Sequence, residues 1–442
     1  MKNKVFKHGL TVFLALVIAA AAFTAGFFTS KCTRSGNLSS IEWAIDIIEK
    51  NYYFGGENDG FSDSSIDGIV NDHLDRYSRY YSAEEYKALT DSNAGSKSGL
   101  GISYSYIDGK GVYVASVVGN SPAHKSGLRA GDVLKSGSVN GNTAEFKNDK
   151  SFKKFLDGIK DDEYFNLNSV YGQVYTTAKT RYTASYAYLC TNETAWCFRD
   201  SANGGLALYE NPSESKAYLP DGAAYVALSQ FYGSAATEFS VLVEKFNAMQ
   251  CTSLILDLRS NGGGYVDLMQ QIAGTFTDGK KEAAMYSRDK KNRREKYNCY
   301  PEEDPSCRIS KDVKIYVLAN SGTASASEAL IGAMICYGVL EYKNIFLSDY
   351  SQEYLDWLRE NEEEPKTRRT YGKGIMQSTF VNDKTGEALK LTVAKIFWPD
   401  GTTCIHDKGI TVEDGCTPVK ADWQHTKYDE ELQKVSEIIK SS

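Results

Sequence analysis

Hydrophobic positions divide the chain into an apolar leader followed by three units with different periodicities. The leader runs from Gly9 to Phe28 without a charge, and three lysines precede it. A stretch of this length can span a bilayer with its basic end in the cytoplasm. Small residues around Ala25 would also permit cleavage as a signal peptide. We favour an uncleaved, single-pass membrane anchor within residues 1–30, and either alternative places the rest of the chain outside the cytoplasm.

Residues 38–92 have the periodicity of helices. Ile41, Ile45 and Ile48 recur at helical spacing, and a second apolar face follows at about residues 64–76. Ser82 and Glu85 have the spacing of a capping box, which predicts the start of another helix. These patterns predict an N-terminal helical segment that serves packing and offers a surface for a homodimer.

Residues 95–185 have the turns and alternation of a small β-rich domain. The segment Gly99–Ile102 leads into a strand pattern, and residues 108–109 (Asp-Gly) are typical of a hairpin turn. Ser121 and Pro122 predict the cap and first residue of a short helix. The stretch 135–139 leaves the register of the following strand open.

Residues 186–442 alternate between buried strands and amphipathic helices, which predicts an α/β core. The pattern up to Pro220 is irregular. Three apolar strands are then predicted at 225–229, 253–258 and 313–319, with helices at 236–249, 267–276 and after Ser325. The charged stretch 280–309 is predicted to form a hairpin or a surface insertion.

Composition narrows the function classes. The chain has 442 residues, and its net charge of −7 argues against nucleic acid as a partner. Its nine cysteines suit an oxidising compartment, where three local disulfides are permitted by spacing: 190–197, 299–307 and 404–416. Cys251 and Cys336 flank apolar runs and are predicted to be buried free thiols. No cysteine pair or histidine cluster has metal-ligand spacing, so we expect no metal site. The chemistry predicted below also requires no cofactor.

Two positions carry candidate chemistry. Ser325 lies between an apolar strand and a helix, where the positive end of the helix dipole favours a developing oxyanion. Lys373 lies between two glycines among apolar or small residues. A lysine removed from water has a lowered pKa, and its neutral amine can take a proton from a serine hydroxyl. Gln377 can orient that amine by a hydrogen bond, provided that Gly374 turns the chain. Each motif alone is more often a packing turn or a surface loop.

Together these motifs resemble the carboxyl-terminal processing (tail-specific) serine peptidases. The similarity rests on LILDLRSNGGG (254–264), VLANSGTASASE (317–328), YGKGIMQ (371–377) and LKLTVAKIFWPDGTTCIHDKGITVED (389–414), in the family's order. The resemblance implies that Ser325 is the nucleophile, Lys373 the general base and Gln377 its orienting partner. It also implies an oxyanion hole formed by the amides of Gly263 and Ala326, and a core similar to the ClpP/crotonase type.

The second unit resembles a PDZ domain. This resemblance implies that the loop amides bind the terminal carboxylate of a substrate tail, which adds as a strand to the sheet edge. The tail-binding residues would be Gly99, Leu100, Gly101 and Ile102. The predicted domains are therefore a helical segment at 38–92, a PDZ domain at 95–185 and a peptidase domain at 186–442.

The sequence thus predicts an extracytoplasmic serine endopeptidase that recognises apolar C-terminal tails of proteins or peptides. Two departures from the family pattern are an insertion at 350–369, which could gate the cleft, and Gly262 where proline is common. A non-catalytic peptide-binding scaffold remains an alternative. A Ser-His-Asp hydrolase would require His406 as base, although that residue more plausibly belongs to a structural turn.

Overall fold

The computed structural model describes residues 38–55, 66–107, 109–352, 355–356, 366–421 and 429–441. The predicted anchor at Gly9–Phe28 and most of the insertion at 350–369 lie outside these residues. Within them, every helix is too short or too polar to cross a bilayer.

The N-terminal unit consists of three helices and one short strand that joins it to the C-terminal part of the chain. Ser82 caps the third helix and forms the predicted capping box with Glu85. The strand pairs antiparallel with a strand far along the chain, β20 (Ala388–Phe397), with Arg79 opposite Lys390. Its elements are the helices Leu38–Asn51, Ile66–His73 and Ala83–Asn93 and strand β1 (Arg79–Tyr81).

The second unit is built on a six-stranded antiparallel sheet in the order β3-β4-β5-β7-β8, with β6 paired to β5. Strand β3 is therefore an edge, and β2 pairs separately with β9. Ser121 caps the short helix as predicted. The elements are β2 (Ser96–Gly99), β3 (Ile102–Ile107), β4 (Gly111–Val117), β5 (Val133–Val139), β6 (Asn142–Glu145), β7 (Tyr164–Ser169), β8 (Val174–Ala178), β9 (Thr180–Thr183) and the helices Pro122–Lys125 and Asp149–Asp157.

An eight-stranded sheet forms the centre of the third unit, in the order β12-β11-β10-β13-β14-β17-β18-β21. Five of these strands run parallel: β13, β14, β17, β18 and β21. Their buried apolar side chains help to form the predicted α/β core. The strands are β10 (Ala187–Cys190), β11 (Ala195–Asp200), β12 (Leu206–Glu210), β13 (Ala223–Leu228), β14 (Ser253–Asp257), β17 (Lys314–Ala319), β18 (Ile345–Tyr350) and β21 (Thr417–Ala421).

The helices of this unit pack on the central sheet. They are Ala235–Ala248, Val266–Gly274, Ala326–Cys336 and Glu430–Ser441, with short 3₁₀ turns at Pro212–Glu214, Pro305–Cys307, Tyr342–Asn344 and Val412–Asp414. The expectation of irregular chain up to Pro220 was wrong. Strands β10 to β12 continue the sheet there as antiparallel neighbours, and each is too short to show a clear alternation.

A five-stranded sheet holds the remaining strands, with β1, β15 and β19 all pairing with β20. The hairpin predicted within 280–309 is confirmed as β15 and β16. Strand β19 directly follows Lys373 and has only β20 as a neighbour among the described strands. The strands are β15 (Ala283–Asp289), β16 (Arg294–Asn298), β19 (Ile375–Val381) and β20 (Ala388–Phe397).

The eight described cysteines are free thiols, so the three local disulfides that the spacing permits are not formed in this structure. Cys190 lies opposite Ala195 in the β10–β11 hairpin, which leaves Cys197 on a diagonal, beyond ordinary disulfide reach. The expectation that Cys336 is buried was wrong, because it ends its helix and is exposed, and Cys251 is partly exposed.

Candidate active site

Loops from the carboxyl ends of two adjacent parallel strands meet beside Ser325. The turn after β17 and the loop after β14 are joined by hydrogen bonds: Ser260 N donates to Asn320 Oδ1 at 2.8 Å, and Thr323 Oγ1 donates to the Leu258 carbonyl at 2.7 Å. The Ala324 amide donates to the Asn261 carbonyl at 2.9 Å. This is the edge of a parallel sheet where ligands commonly bind.

Ser325 is held in a strained backbone conformation at the start of the helix Ala326–Cys336, with φ +58° and ψ −115°. A non-glycine residue keeps such angles only when its surroundings impose them, which is common at functional sites. A similar strained strand-to-helix turn presents the nucleophile in other hydrolases. The Ala326 amide makes no hydrogen bond within the described part of the chain and belongs to the first turn of the helix. This turn therefore presents a hydroxyl next to a free donor.

Glu328 connects the serine turn to the lysine loop. Its carboxylate is fully buried and accepts bonds from the amides of Ser325 (2.9 Å), Lys373 (2.9 Å) and Gly372 (2.8 Å). It also accepts the hydroxyl of Thr370 at 2.5 Å. Burial raises the pKa of this carboxyl, while these hydrogen bonds oppose the rise. One side chain thus fixes the backbone of both predicted catalytic residues.

Lys373 has the electrostatic environment expected of a general base. Burial, together with the positive charge of Lys390, lowers the pKa of its amine to about 7, whereas Asp75 and Glu328 act in the opposite direction. The lysine Nζ lies over the ring of Tyr77, 4.8 Å from its centroid. No hydrogen bond joins Nζ to Ser325 Oγ among the described residues. Apo sites often have such loose contacts between nucleophile and base.

Gln377 makes no hydrogen bond to Lys373 among the described residues. Its amide Nε2 donates to Thr392 Oγ1 of the neighbouring strand at 3.0 Å. A bulge in the β19–β20 pairing lies between Met376 and Gln377, next to this bond. Its orienting role remains a prediction.

Gly263 lies against the serine turn, but its amide is already occupied. A Cβ at this position, where φ is +94°, would come within 2.8 Å of Ala326 N and 2.9 Å of Ser325 Cβ, so only glycine fits. The Gly263 amide donates to Asn261 Oδ1 at 2.9 Å. An oxyanion would therefore compete with Asn261 for this donor, and the predicted oxyanion hole remains a prediction.

Two further residues of this site were missed in the sequence. Glu328 follows Ser325 with the Ser-x-x-Glu spacing of a capping box, a signal that could have identified it. Tyr77 had no such signal, because it lies nearly 300 residues before Lys373 in the N-terminal unit. His406 packs its backbone against Gly374, and its Nδ1 has no partner among the described residues. It makes no hydrogen bond to Ser325 within the same set.

The predicted tail-binding loop lies between β2 and the edge strand β3. The carbonyls of Leu100 and Gly101 accept bonds from Ala123 N (3.1 Å) and Val118 N (2.9 Å), so they point into the domain. Gly101 has φ +80°, and a Cβ there would lie 2.2 Å from Ser121 Cβ. The open side of β3 is an available edge for an added strand.

No group of three or more His, Cys, Asp or Glu side chains in the described part of the chain could hold a metal ion.

Comparison with protein families gives two matches. The model of peptidase family S41 matches residues 222–339, which include Gly263, Ser325 and Ala326. The PDZ domain model matches residues 89–161, which include the Gly99–Ile102 loop. Lys373 and Gln377 lie outside both matches.

Several whole proteins are similar to most of this chain. A probable CtpA-like serine protease of Staphylococcus aureus is 27% identical over 409 residues, covering 90% of this chain and 69% of that protein. One from Staphylococcus epidermidis is 26% identical over 374 residues, covering 85% and 64%. The structure of a putative S41 protease from Bacteroides fragilis is similar with a TM-score of 0.56 and 14% identity, covering 90% of this chain and 97% of that one. This structural likeness supports the overall fold, while the ClpP/crotonase comparison remains a prediction.

Proposed function

We propose that this chain, which belongs to the carboxyl-terminal processing serine peptidase family, is an endopeptidase that uses Ser325 as nucleophile and Lys373 as general base. The family membership makes it a serine-type peptidase with a PDZ domain. The assignment of the dyad rests on one observation above all. Glu328 binds the backbone amides of both residues at 2.9 Å, so the two loops that carry them are held together.

The proposed reaction begins with the neutral amine of Lys373. With a pKa of about 7, a substantial fraction of this amine is unprotonated at neutral pH. The amine takes the proton of Ser325 Oγ while Oγ attacks the carbonyl carbon of the scissile peptide bond. The oxyanion receives hydrogen bonds from the Ala326 amide and, once it replaces Asn261, from the Gly263 amide.

Collapse of the tetrahedral intermediate breaks the peptide bond. The Lys373 ammonium gives its proton to the leaving amine, which departs and leaves an acyl-enzyme on Ser325. Water then attacks the ester as Lys373 takes a proton from it. The bond between the acyl carbon and Ser325 Oγ breaks, the Lys373 ammonium returns the proton to Oγ, and the acid product is released. Gln377 would orient the Lys373 amine after its own amide leaves Thr392.

The PDZ domain is proposed to select the substrate by its C-terminal tail. The amides of the Gly99–Ile102 loop would bind the terminal carboxylate, and the tail would pair with the open edge of β3. An apolar tail is favoured because apolar side chains of the domain lie beside the loop.

The location of the enzyme is proposed from the sequence alone. The uncharged stretch Gly9–Phe28 would act as an N-terminal anchor and leave the catalytic body outside the cytoplasm. A chain with a cleaved leader would be secreted instead. Protease protection of the full chain in sealed membranes distinguishes the two sides of the bilayer.

The scaffold alternative has one observation in its favour. Gly263, Lys373 and Gln377 each contact a group other than the predicted partner. A protein that only binds peptides would not need to exchange these contacts, whereas a peptidase must.

Cleavage of an unfolded reporter with an apolar C-terminal tail tests the proposal. The full chain in mild detergent is compared with Ser325→Ala and Lys373→Ala. Lys384→Ala, an exposed lysine between β19 and β20, serves as the matched control. We expect the parent and the control to cut and both dyad variants to be inert while folded. Equal cleavage by Ser325→Ala would refute the assignment, and an inert parent that still binds the tail would favour the scaffold.

A further inference from the structure

The residue in contact with the proposed base comes from the N-terminal unit. Tyr77 lies between the helix Ile66–His73 and strand β1. Its ring is the aromatic face over which Lys373 Nζ lies, at 4.8 Å from the centroid. No hydrogen bond from Lys373 Nζ is found in the described part of the chain, and the ring of Tyr77 is a defined contact of this atom.

Tyr77 is fixed from several sides. Its amide donates to Asp75 Oδ1 at 2.7 Å, and its hydroxyl donates to that of Tyr371 at 3.1 Å. Arg76 Nη2 donates to the Tyr77 hydroxyl at 2.8 Å. Tyr371 is two residues before Lys373, and its amide donates to the Thr323 carbonyl at 2.9 Å. The ring is therefore held in a defined position relative to both the lysine loop and the serine turn.

We propose that Tyr77 is a positioning residue for Lys373, whose aromatic face holds Nζ and stabilises its ammonium form. The inference rests on the proposed role of Lys373 as the base. In that reaction the proton of Ser325 Oγ moves to Lys373 Nζ, which becomes an ammonium. A face that stabilises this cation favours the transfer, and it makes the N-terminal unit a part of the active site.

Other charges around Lys373 act on the same equilibrium. Lys390 on β20 and Arg76 on the Tyr77 loop favour the neutral amine, as burial does. Asp75 on that loop and Glu328 on the Ser325 helix favour the ammonium. The ring of Tyr77 adds to the second group, and substitutions of Tyr77 that leave these charges in place isolate its contribution.

Three substitutions of Tyr77 distinguish a cation–π contact with Lys373 from simple exclusion of water. Tyr77→Leu keeps an apolar cover but removes the ring, so the pKa of Lys373 should fall. Tyr77→Ala admits water, so the same pKa should rise because the desolvation of the ammonium is relieved. Tyr77→Phe keeps the ring and should leave the pKa near the parent value.

The test measures the rate at which a fluorophosphonate probe labels Ser325 in the full chain, between pH 5 and pH 9. We expect the acidic limb of the Tyr77→Leu profile to move down by about 0.5 to 1.5 pH units. Tyr53→Leu is the matched control, since Lys395 lies over that ring at 5.9 Å. Its profile should equal that of the parent.

The possible outcomes distinguish the proposed role of Tyr77 from the proposed function of the Ser325–Lys373 dyad. An unmoved limb in Tyr77→Leu, or a shift upward in both Tyr77→Leu and Tyr77→Ala, overturns the role of Tyr77 while leaving the dyad intact. Equal labelling of Ser325→Ala would instead refute the proposed function. If Tyr77→Leu does not fold, Phe and pentafluorophenylalanine at this position provide the same test, because fluorination reverses the charge of the ring face without changing its shape. A limb that is the same for both rings would overturn the proposal.

Discussion

Replacing Glu328 by glutamine keeps the shape of this side chain but should weaken the connection between the serine turn and the lysine loop. Each carboxylate oxygen serves two donors: Oε1 accepts from Gly372 N and Thr370 Oγ1, and Oε2 accepts from Ser325 N and Lys373 N. A glutamine amide keeps one oxygen and places an NH₂ group against the other pair. Two donors in a buried site then lose their acceptor. At about 1 to 3 kcal/mol for each, the expected loss of stability is about 2 to 6 kcal/mol.

The matched control is Glu85→Gln, since Glu85 forms the same capping box with Ser82 on the protein surface. Water can replace its contacts, so the cost there should be about 0.5 to 1 kcal/mol. Urea unfolding of both variants gives the free energies, and labelling of Ser325 by a fluorophosphonate gives the activity. We expect Glu328→Gln to label at least tenfold more slowly than the parent even where it is folded. Equal stability losses for the two variants, with parent-like labelling, would refute the reasoning.

Three further results are expected. The labelling rate of the parent should rise with pH through about 7, because Lys373 must lose its proton. Lys390→Met removes a positive charge that lowers the pKa of Lys373, so it should move that rise to higher pH. The Arg259 side chain is only 17% exposed and pairs with three carboxylates, which Arg259→Met would leave facing one another. This variant should lose about 3 to 5 kcal/mol of unfolding free energy in urea, whereas Arg293→Met, at an exposed pair, should lose less than about 1 kcal/mol. Gly101→Ala should weaken binding of a tail peptide in calorimetry, because its φ of +80° and a 2.2 Å clash distort the loop, while cleavage of tail-free unfolded protein is unchanged.

The parts of the fold with strong periodicity were predictable. Strands β13, β14 and β17 are nearly continuous apolar runs because both faces of a parallel sheet are covered. Strands β10 to β12 were missed because their burial depends on pairing at the sheet edge, and four to six residues carry little alternation. The spacing of the cysteines left their pairing open for a related reason, since proximity in sequence does not fix which residues oppose each other across a hairpin.

The same distinction applies to the candidate site: local features could be predicted, and contacts between distant parts of the chain could not. The turn at Ser325 and the glycine loop at Lys373 could be predicted because their flanking strand, helix and glycines are local features, while the catalytic roles of both residues stay predictions. The ionic cluster around Arg259 could not, since its partners Asp429 and Glu431 lie at the start of the C-terminal helix, about 170 residues away. Tyr77 is still farther from the lysine that it contacts. Only the tertiary fold brings these charges and rings to one place.

The predicted catalytic groups are preorganised in their backbone but not in their side-chain contacts. Glu328 fixes the amides of Ser325 and Lys373, yet the Gly263 amide binds Asn261 and the Gln377 amide binds Thr392. A buried donor without a partner costs about 1 to 3 kcal/mol, so these contacts stabilise the free protein. An oxyanion that replaces Asn261 exchanges a neutral acceptor for a charged one, and hydrogen bonds to charged groups are stronger. The exchange is therefore favourable when the oxyanion forms and unfavourable before it, which is the difference between ground state and transition state on which catalysis depends.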